Sequence, residues 1–91
     1  MRFSKINKRK TLNEREIEIL MECLNGLTIN EIALAYKIKV GTVRWHLKNI
    51  YIKLNVNDIS STFRFIVILR KLLSSGAISY DVPTGQFLWE L

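Results

Sequence analysis

One helix-start signal occurs twice in the first third of the chain, and that repetition constrains the fold more than any other feature. Asn13 is followed three residues later by Glu16, and Thr28 three residues later by Glu31. This is the capping-box spacing, in which a short polar side chain and a carboxylate each satisfy a backbone N–H that the helix leaves unpaired. Leu12 with Ile17, and Leu27 with Ile32, are spaced as the apolar staple that brackets each box. Two helices begun so close together must be short and must turn sharply. Gly26 stands between them, placed to end the first in the left-handed conformation.

The apolar periodicity extends this plan. Ile17, Leu20, Met21 and Leu24 follow a helical stripe, and Ile32, Ala33 and Tyr36 turn inward on a second helix that ends near Tyr36. After the turn Lys37-Ile38-Lys39, a third helix is expected from about Val40 to Leu54, with Val43, Leu47, Ile50 and Leu54 on its core side. Asn55-Val56-Asn57 breaks it. Asp58 is placed to cap a fourth helix reaching about Leu73, which Ser74-Ser75-Gly76 stops. The tail then changes period: Ile78, Tyr80 and Val82 alternate, and so do Phe87, Trp89 and Leu91 after Pro83-Thr84-Gly85. That pattern reads as a β-hairpin. Two strands alone are marginal in water, so the hairpin needs support from the helices. The expected fold class is all-α, four helices with a short C-terminal β-hairpin.

Ninety-one residues suffice for one small domain, and 48% hydrophobic with 24% charged residues is a globular composition. Fourteen Lys and Arg against eight Asp and Glu give a net charge of +6, which calls for a polyanionic partner: nucleic acid or an anionic membrane surface. Arg2, Lys5, Lys8, Arg9 and Lys10 form a basic arm over residues 1–10. Lys37, Lys39, Arg44, Lys48 and Lys53 form a second acid-free basic run. The arm reads either as a solvated start or as an added phosphate or minor-groove contact, and both readings stand. Cys23 is the one cysteine and His46 the one histidine, so neither a disulfide nor a His/Cys metal cluster can be assembled. No metal or cofactor is expected. Neither a signal peptide nor an apolar run of membrane-spanning length is present, so the expectation is a soluble, cytoplasmic protein with no membrane partner.

Two helices joined by a tight turn inside a basic chain make a helix-turn-helix pattern, here about residues 28–54. Its physical test is the outer face of the third helix. With Val43, Leu47, Ile50 and Leu54 inward, Gly41, Arg44, Trp45, Lys48 and Ile52 face away. Arg and Lys reach guanine O6 and N7, an apolar ring meets a thymine methyl, and a glycine lets the backbone approach a duplex closely. Glu14, Glu16, Glu18 and Glu22 repel phosphate and read as a solvated face, so the first helix should sit away from DNA. His46 reads as a structural histidine, since no second histidine or nearby Asp orients it. Cys23 reads as a small apolar residue rather than a redox sensor.

Residues 12–56 resemble the LuxR/GerE-type helix-turn-helix domain of bacterial transcription regulators. Leu12-Asn13-Glu14-Arg15-Glu16 with Leu20 matches that family's entry sequence, and Gly26-Leu27-Thr28 with Glu31-Ile32-Ala33 matches its second helix. The most specific match is Thr42-Val43-Arg44-Trp45-His46-Leu47-Lys48-Asn49-Ile50-Tyr51-Ile52-Lys53-Leu54-Asn55-Val56. The resemblance implies a four-helix domain over residues 11–74 whose third helix reads DNA. It implies base contacts from Arg44, Trp45 and Lys48, with Gly41 beside them, and backbone contacts from Lys39, Thr42, Asn49, Lys53 and Thr28. It further implies a dimerisation helix at about 58–73, whose contacts are expected from Phe65, Ile68, Leu69 and Leu72. The partner is then double-stranded DNA, bound by a homodimer at an inverted repeat, with half-sites about one helical turn apart.

Three departures from the family pattern matter. Lys39 stands where a capping serine is usual, so the start of the third helix is expected to be frayed, shifted or ordered only on DNA. Lys37 and Asn55 replace turn glycines. The fourth helix is apolar nearly all round, so its free face must meet a second copy, the C-terminal extension (75–91), or both. The expected function is a sequence-specific transcriptional regulator, made as a stand-alone DNA-binding domain. The alternative is a small adaptor that captures another regulatory protein through the fourth helix and tail. A sigma-factor DNA-reading region is disfavoured by the His46…Asn49-Ile50-Tyr51 block. An enzyme is not expected, because no nucleophile, base and orienting group come together.

Overall fold

A computed structural model of the chain describes residues 11–91, so the basic arm at 1–10 lies outside the described residues. Four helices precede a two-stranded antiparallel hairpin: α1 (Glu14–Leu24), α2 (Ile29–Tyr36), α3 (Val40–Lys53), α4 (Ser61–Ser75), β1 (Ile78–Asp81) and β2 (Gln86–Trp89). This is the four-helix helix-turn-helix architecture expected, with the hairpin appended.

Both capping boxes form. Asn13 Oδ1 accepts from the Glu16 amide at 2.8 Å while Glu16 Oε1 accepts from the Asn13 amide at 2.9 Å. Thr28 and Glu31 repeat the exchange at 3.1 and 2.8 Å.

The helix ends are equally uniform. After Gly26, Lys37, Asn55 and Gly76, all at positive φ, the next amide reaches back to the last turn: Leu27 to Glu22, Ile38 to Ala33, Val56 to Tyr51 and Ala77 to Leu72, at 2.9–3.0 Å. This is the long bond of the Schellman motif, and each residue that makes it is apolar and tucks under its helix. Every helix of the domain therefore stops in the same way. Two of the stops are made without glycine, at φ 55 for Lys37 and 59 for Asn55.

The core gathers Ile19 and Leu20 of α1, Ile32 and Ala33 of α2, Val43, Leu47 and Ile50 of α3, then Leu54, Val56, Ile68, Leu72, Ala77 and Ile78. The buried face of α1 is rotated from the expected stripe: Ile19 is fully buried, while Ile17, Met21 and Leu24 are half-buried. Glu16 explains the rotation. Its carboxylate turns inward, and residues three and four positions later share its face.

Helix α4 begins at Ser61, with Ser60 in the cap position, two residues later than a cap at Asp58 implies, and ends at Ser75 rather than Leu73. The intervening segment closes on itself instead: Ile59 N–H donates to the Val56 carbonyl, and Arg64 donates to the carbonyls of Val56 (3.3 Å) and Ile59 (2.9 Å). The Arg64 guanidinium lies 4.4 Å over the Tyr51 ring, and Lys71 Nζ donates to the Leu54 carbonyl at 2.9 Å. Helix α4 is thus fastened by two cations to the C-terminal end of α3, where the helix dipole favours positive charge.

The hairpin pairs Ile78 with Trp89 and Tyr80 with Phe87 across its strands. Its support comes from α1. Asn25 donates to the Phe87 carbonyl (3.0 Å) and accepts from the Phe87 amide (2.7 Å), imitating a neighbouring strand. Ala77 and Ile78 are buried in the core, whereas Val82 falls in the turn and is exposed. No helix among the described residues is long and apolar enough to cross a membrane.

Candidate nucleic-acid interface

The candidate reading surface is the outer face of α3. That helix is seated by Val43, Leu47 and Ile50, all buried, so its opposite face has a defined orientation. Gly41, Arg44, Trp45, Lys48 and Ile52 are all exposed on it, Trp45 at 60% and Ile52 at 50%. The Trp45 indole stands edge-on to the His46 ring, with centroids 5.1 Å apart. Among the described residues neither Arg44 nor Lys48 enters an ion pair. Both cations are left unpaired, and most of the indole stands in solvent.

Gly41 carries a second signal. Its φ is not positive, and a Cβ built there meets nothing within 4 Å. The fold therefore has no need of glycine at this place. The space is open to the outside.

At the start of α3, Lys39 is exposed and makes no side-chain cap. The helix nevertheless begins regularly, because the Thr42 and Val43 amides both donate to the Lys39 carbonyl, at 3.0 and 3.1 Å. The frayed or shifted start is not found. Thr42 and Asn49 are half-buried on the flank beside Trp45. Thr28 lies exposed at the start of α2, with its oxygen accepting from Glu31 and its hydroxyl proton free to donate.

Lys53 departs from its expected place. Its Nζ donates to Glu16 Oε1 at 2.8 Å, with the lysine side chain 22% exposed and the glutamate 3%. The ammonium thus ties the end of α3 to the start of α1 rather than standing out for phosphate. Glu16 correspondingly leaves the solvated acidic face on which it was expected, while Glu14 and Glu18 remain exposed. Glu22 is half-buried and accepts from the Tyr36 hydroxyl at 2.8 Å.

Two of the four expected dimer contacts need correction. Ile68 and Leu72 are fully buried within the subunit, and Phe65 and Leu69 are half-buried, Phe65 with its ring edge-on to Tyr51. The core and hairpin consume that side of α4. The apolar residues left outside are Phe63 (59%), Ile66 (64%) and Leu73 (44%). Helix α4 carries apolar residues on both of these sides, so its sequence does not by itself say which one is left free.

Cys23 is half-buried, and burial, reinforced by the charge of Glu22, pushes its thiol up to about 11. A thiol held neutral is a poor nucleophile, in keeping with a packing role. His46 Nδ1 is buried without a hydrogen-bond partner among the described residues.

The family model of the bacterial regulatory proteins, luxR family (GerE), matches residues 10–66. This chain belongs to the LuxR family. The match contains α1, α2, α3 and the beginning of α4, and so the whole candidate surface. The rest of α4 and the hairpin lie beyond it. Similar relatives include the Transcriptional regulatory protein LnrK of Bacillus subtilis, 48% identical over 56 residues (62% of this chain, 26% of LnrK). The Transcriptional activator protein ExpR of Pectobacterium parmentieri is 40% identical over 58 residues (64% of this chain, 24% of ExpR). The Response regulator protein VraR of Staphylococcus aureus is 47% identical over 47 residues (52% of this chain, 22% of VraR). This LuxR-family chain spans about a quarter of the length of the curated relatives it matches. No solved structure matches it.

Proposed function

We propose that the chain is a sequence-specific DNA-binding transcriptional regulator of the bacterial cytoplasm, acting as a homodimer on an inverted repeat. One observation carries the reading: in a LuxR-family domain, the outer face of α3 presents Arg44, Trp45 and Lys48 all exposed, with neither cation in an ion pair. In this reading α3 lies in the major groove. Arg44, Trp45 and Lys48 meet base edges, and Gly41 admits the backbone close to the duplex. Lys39, Thr42, Asn49 and Thr28 contact phosphates and set the register. Lys53 is left out of the phosphate set, because its ammonium is held by Glu16. Dimerisation is assigned to the exposed side of α4 at Phe63, Ile66 and Leu73. No catalytic step belongs to this reading.

A second reading, an adaptor that captures another regulatory protein, has support from the apolar exterior of the tail, where Tyr80, Leu88 and Leu91 are exposed. Binding selection from random duplexes at several salt concentrations, with sedimentation for stoichiometry, separates the two. A short inverted repeat lost in the R44A/W45A/K48A variant is the expected result. Promoter binding that survives all three replacements would sink the DNA-reader model.

A further inference from the structure

The exposed face of α3 has a chemical bias beyond its charge. Arg44 and Lys48 are donors only, the Trp45 indole has one N–H and no acceptor, and Gly41 and Ile52 bring no side-chain polar atom at all. The side chains with acceptor oxygens, Thr42 and Asn49, stand half-buried on the flank. No carboxylate lies in the sequence between Glu31 and Asp58. A reader of this kind can give hydrogen bonds to bases and cannot take them.

Resting on the DNA-binding reading above, we propose that the half-site is read through keto bases. Guanines are selected by Arg44 and Lys48, a thymine by Trp45, and the amino groups of cytosine and adenine go unread. The groove chemistry leads there directly. Guanine offers two adjacent acceptors, N7 and O6, to a forked donor. Adenine replaces one of them with an N6 amino group that meets Arg44 donor to donor, and cytosine presents only its N4 donor. Thymine offers the O4 acceptor and the C5 methyl. An indole 60% exposed on that helix face supplies the apolar surface that such a methyl requires. Burial of the ring against a methyl also recovers the cost of leaving Trp45 in water.

The test uses the full chain on the duplex recovered by selection, with single base analogues. Replacing a contacted guanine by 7-deazaguanine removes N7 and is expected to lower affinity about tenfold, within the range of a bidentate contact. Replacing the contacted thymine by deoxyuridine removes only the methyl and is expected to cost about fourfold. In W45A that second loss disappears, whereas W45A still responds to 7-deazaguanine. R44Q supplies the missing acceptor and is expected to shift the base selected at its position from guanine toward adenine. Two results overturn the proposal in different ways. A site whose binding depends on cytosine N4 or adenine N6, with indifference to 7-deazaguanine and deoxyuridine, overturns keto-base reading and leaves specific DNA binding standing. Recovery of no consensus overturns both.

Discussion

Lys37 sits at φ 55 and Asn55 at φ 59, in helix stops that Gly26 and Gly76 make without strain. A side chain in the left-handed region costs about 1–2 kcal/mol, partly offset by the lower flexibility of a non-glycine residue in the unfolded chain. Lys37→Gly is therefore expected to stabilise the domain by about 0.5–1 kcal/mol in urea unfolding. Asn55 gains less from the same change, since Asn tolerates this conformation better. Gly41 makes the opposite case. With its backbone helical and nothing within 4 Å of the missing Cβ, Gly41→Ala should raise stability by about 0.5–1 kcal/mol. If the duplex approaches as proposed, the same methyl weakens DNA binding. A variant that is more stable and binds less well, measured by unfolding and by fluorescence anisotropy, separates a glycine kept for a ligand from one kept for the fold. Undiminished affinity would remove Gly41 from the contact surface.

At the scale of elements, α3 is positioned from three sides. Its inner stripe packs into the core, Lys53 ties its end to α1 through Glu16, and Lys71 and Arg64 clamp α4 onto its C-terminal turn. Lys53 and Lys39 are both cations of the same basic run, yet Lys53 is ion-paired to Glu16 whereas Lys39 stands exposed. Lys53→Met strands a buried carboxylate. It should cost about 2–3 kcal/mol, below the range for fully enclosed pairs because the lysine end reaches the surface. It should leave the salt dependence of DNA affinity unchanged. Lys39→Met should do the reverse, sparing stability and flattening the slope of log affinity against log salt by about one. A flattened slope in the Lys53 variant would return that ammonium to the phosphate contacts.

For the whole molecule, the hairpin is the element that closes the domain. Asn25 pairs with Phe87 from α1, and Ala77 and Ile78 enter the core beside Ile68 and Leu72 of α4. Closure on that side leaves Phe63, Ile66 and Leu73 as the free apolar face. Ile66→Glu is accordingly expected to shift sedimentation toward monomer and to weaken binding to an inverted repeat more than to a single half-site. Persistence of the dimer would move the interface elsewhere.

The same closure predicts an alkaline limit. Burial raises Cys23 from its ordinary 9.0 to about 11. Burial, and then its hydrogen bond to Glu22, raise Tyr36 from 10.0 to about 12. Because the unfolded chain loses these protons first, stability is full below about pH 9 and falls as pH rises from there toward 12. Cys23→Ala should delay the onset toward pH 10, where an unfolded tyrosine begins to ionise, as followed by denaturant midpoints. An unshifted onset would show that Cys23 is not the group responsible.

What the sequence determined by itself was everything set within one or two helical turns. Both capping boxes and the division of α3 into an inner and an outer face depend on neighbours three or four residues apart, and the alternation of the tail on neighbours two apart. Their geometry is the same in any context. The α1 stripe, the start of α4 and the roles of Lys53, Ile68 and Leu72 were decided only by the tertiary structure. Glu16 meets a lysine 37 positions away, and Asn25 meets a strand 62 positions away. Once Glu16 turns inward, the buried face of α1 follows it, and the Lys53 ammonium is drawn in with it. Once the hairpin docks, one apolar side of α4 becomes core and the other remains free. Local hydrogen bonding writes a helix into its own residues, but the face that a helix buries depends on what arrives from far along the chain.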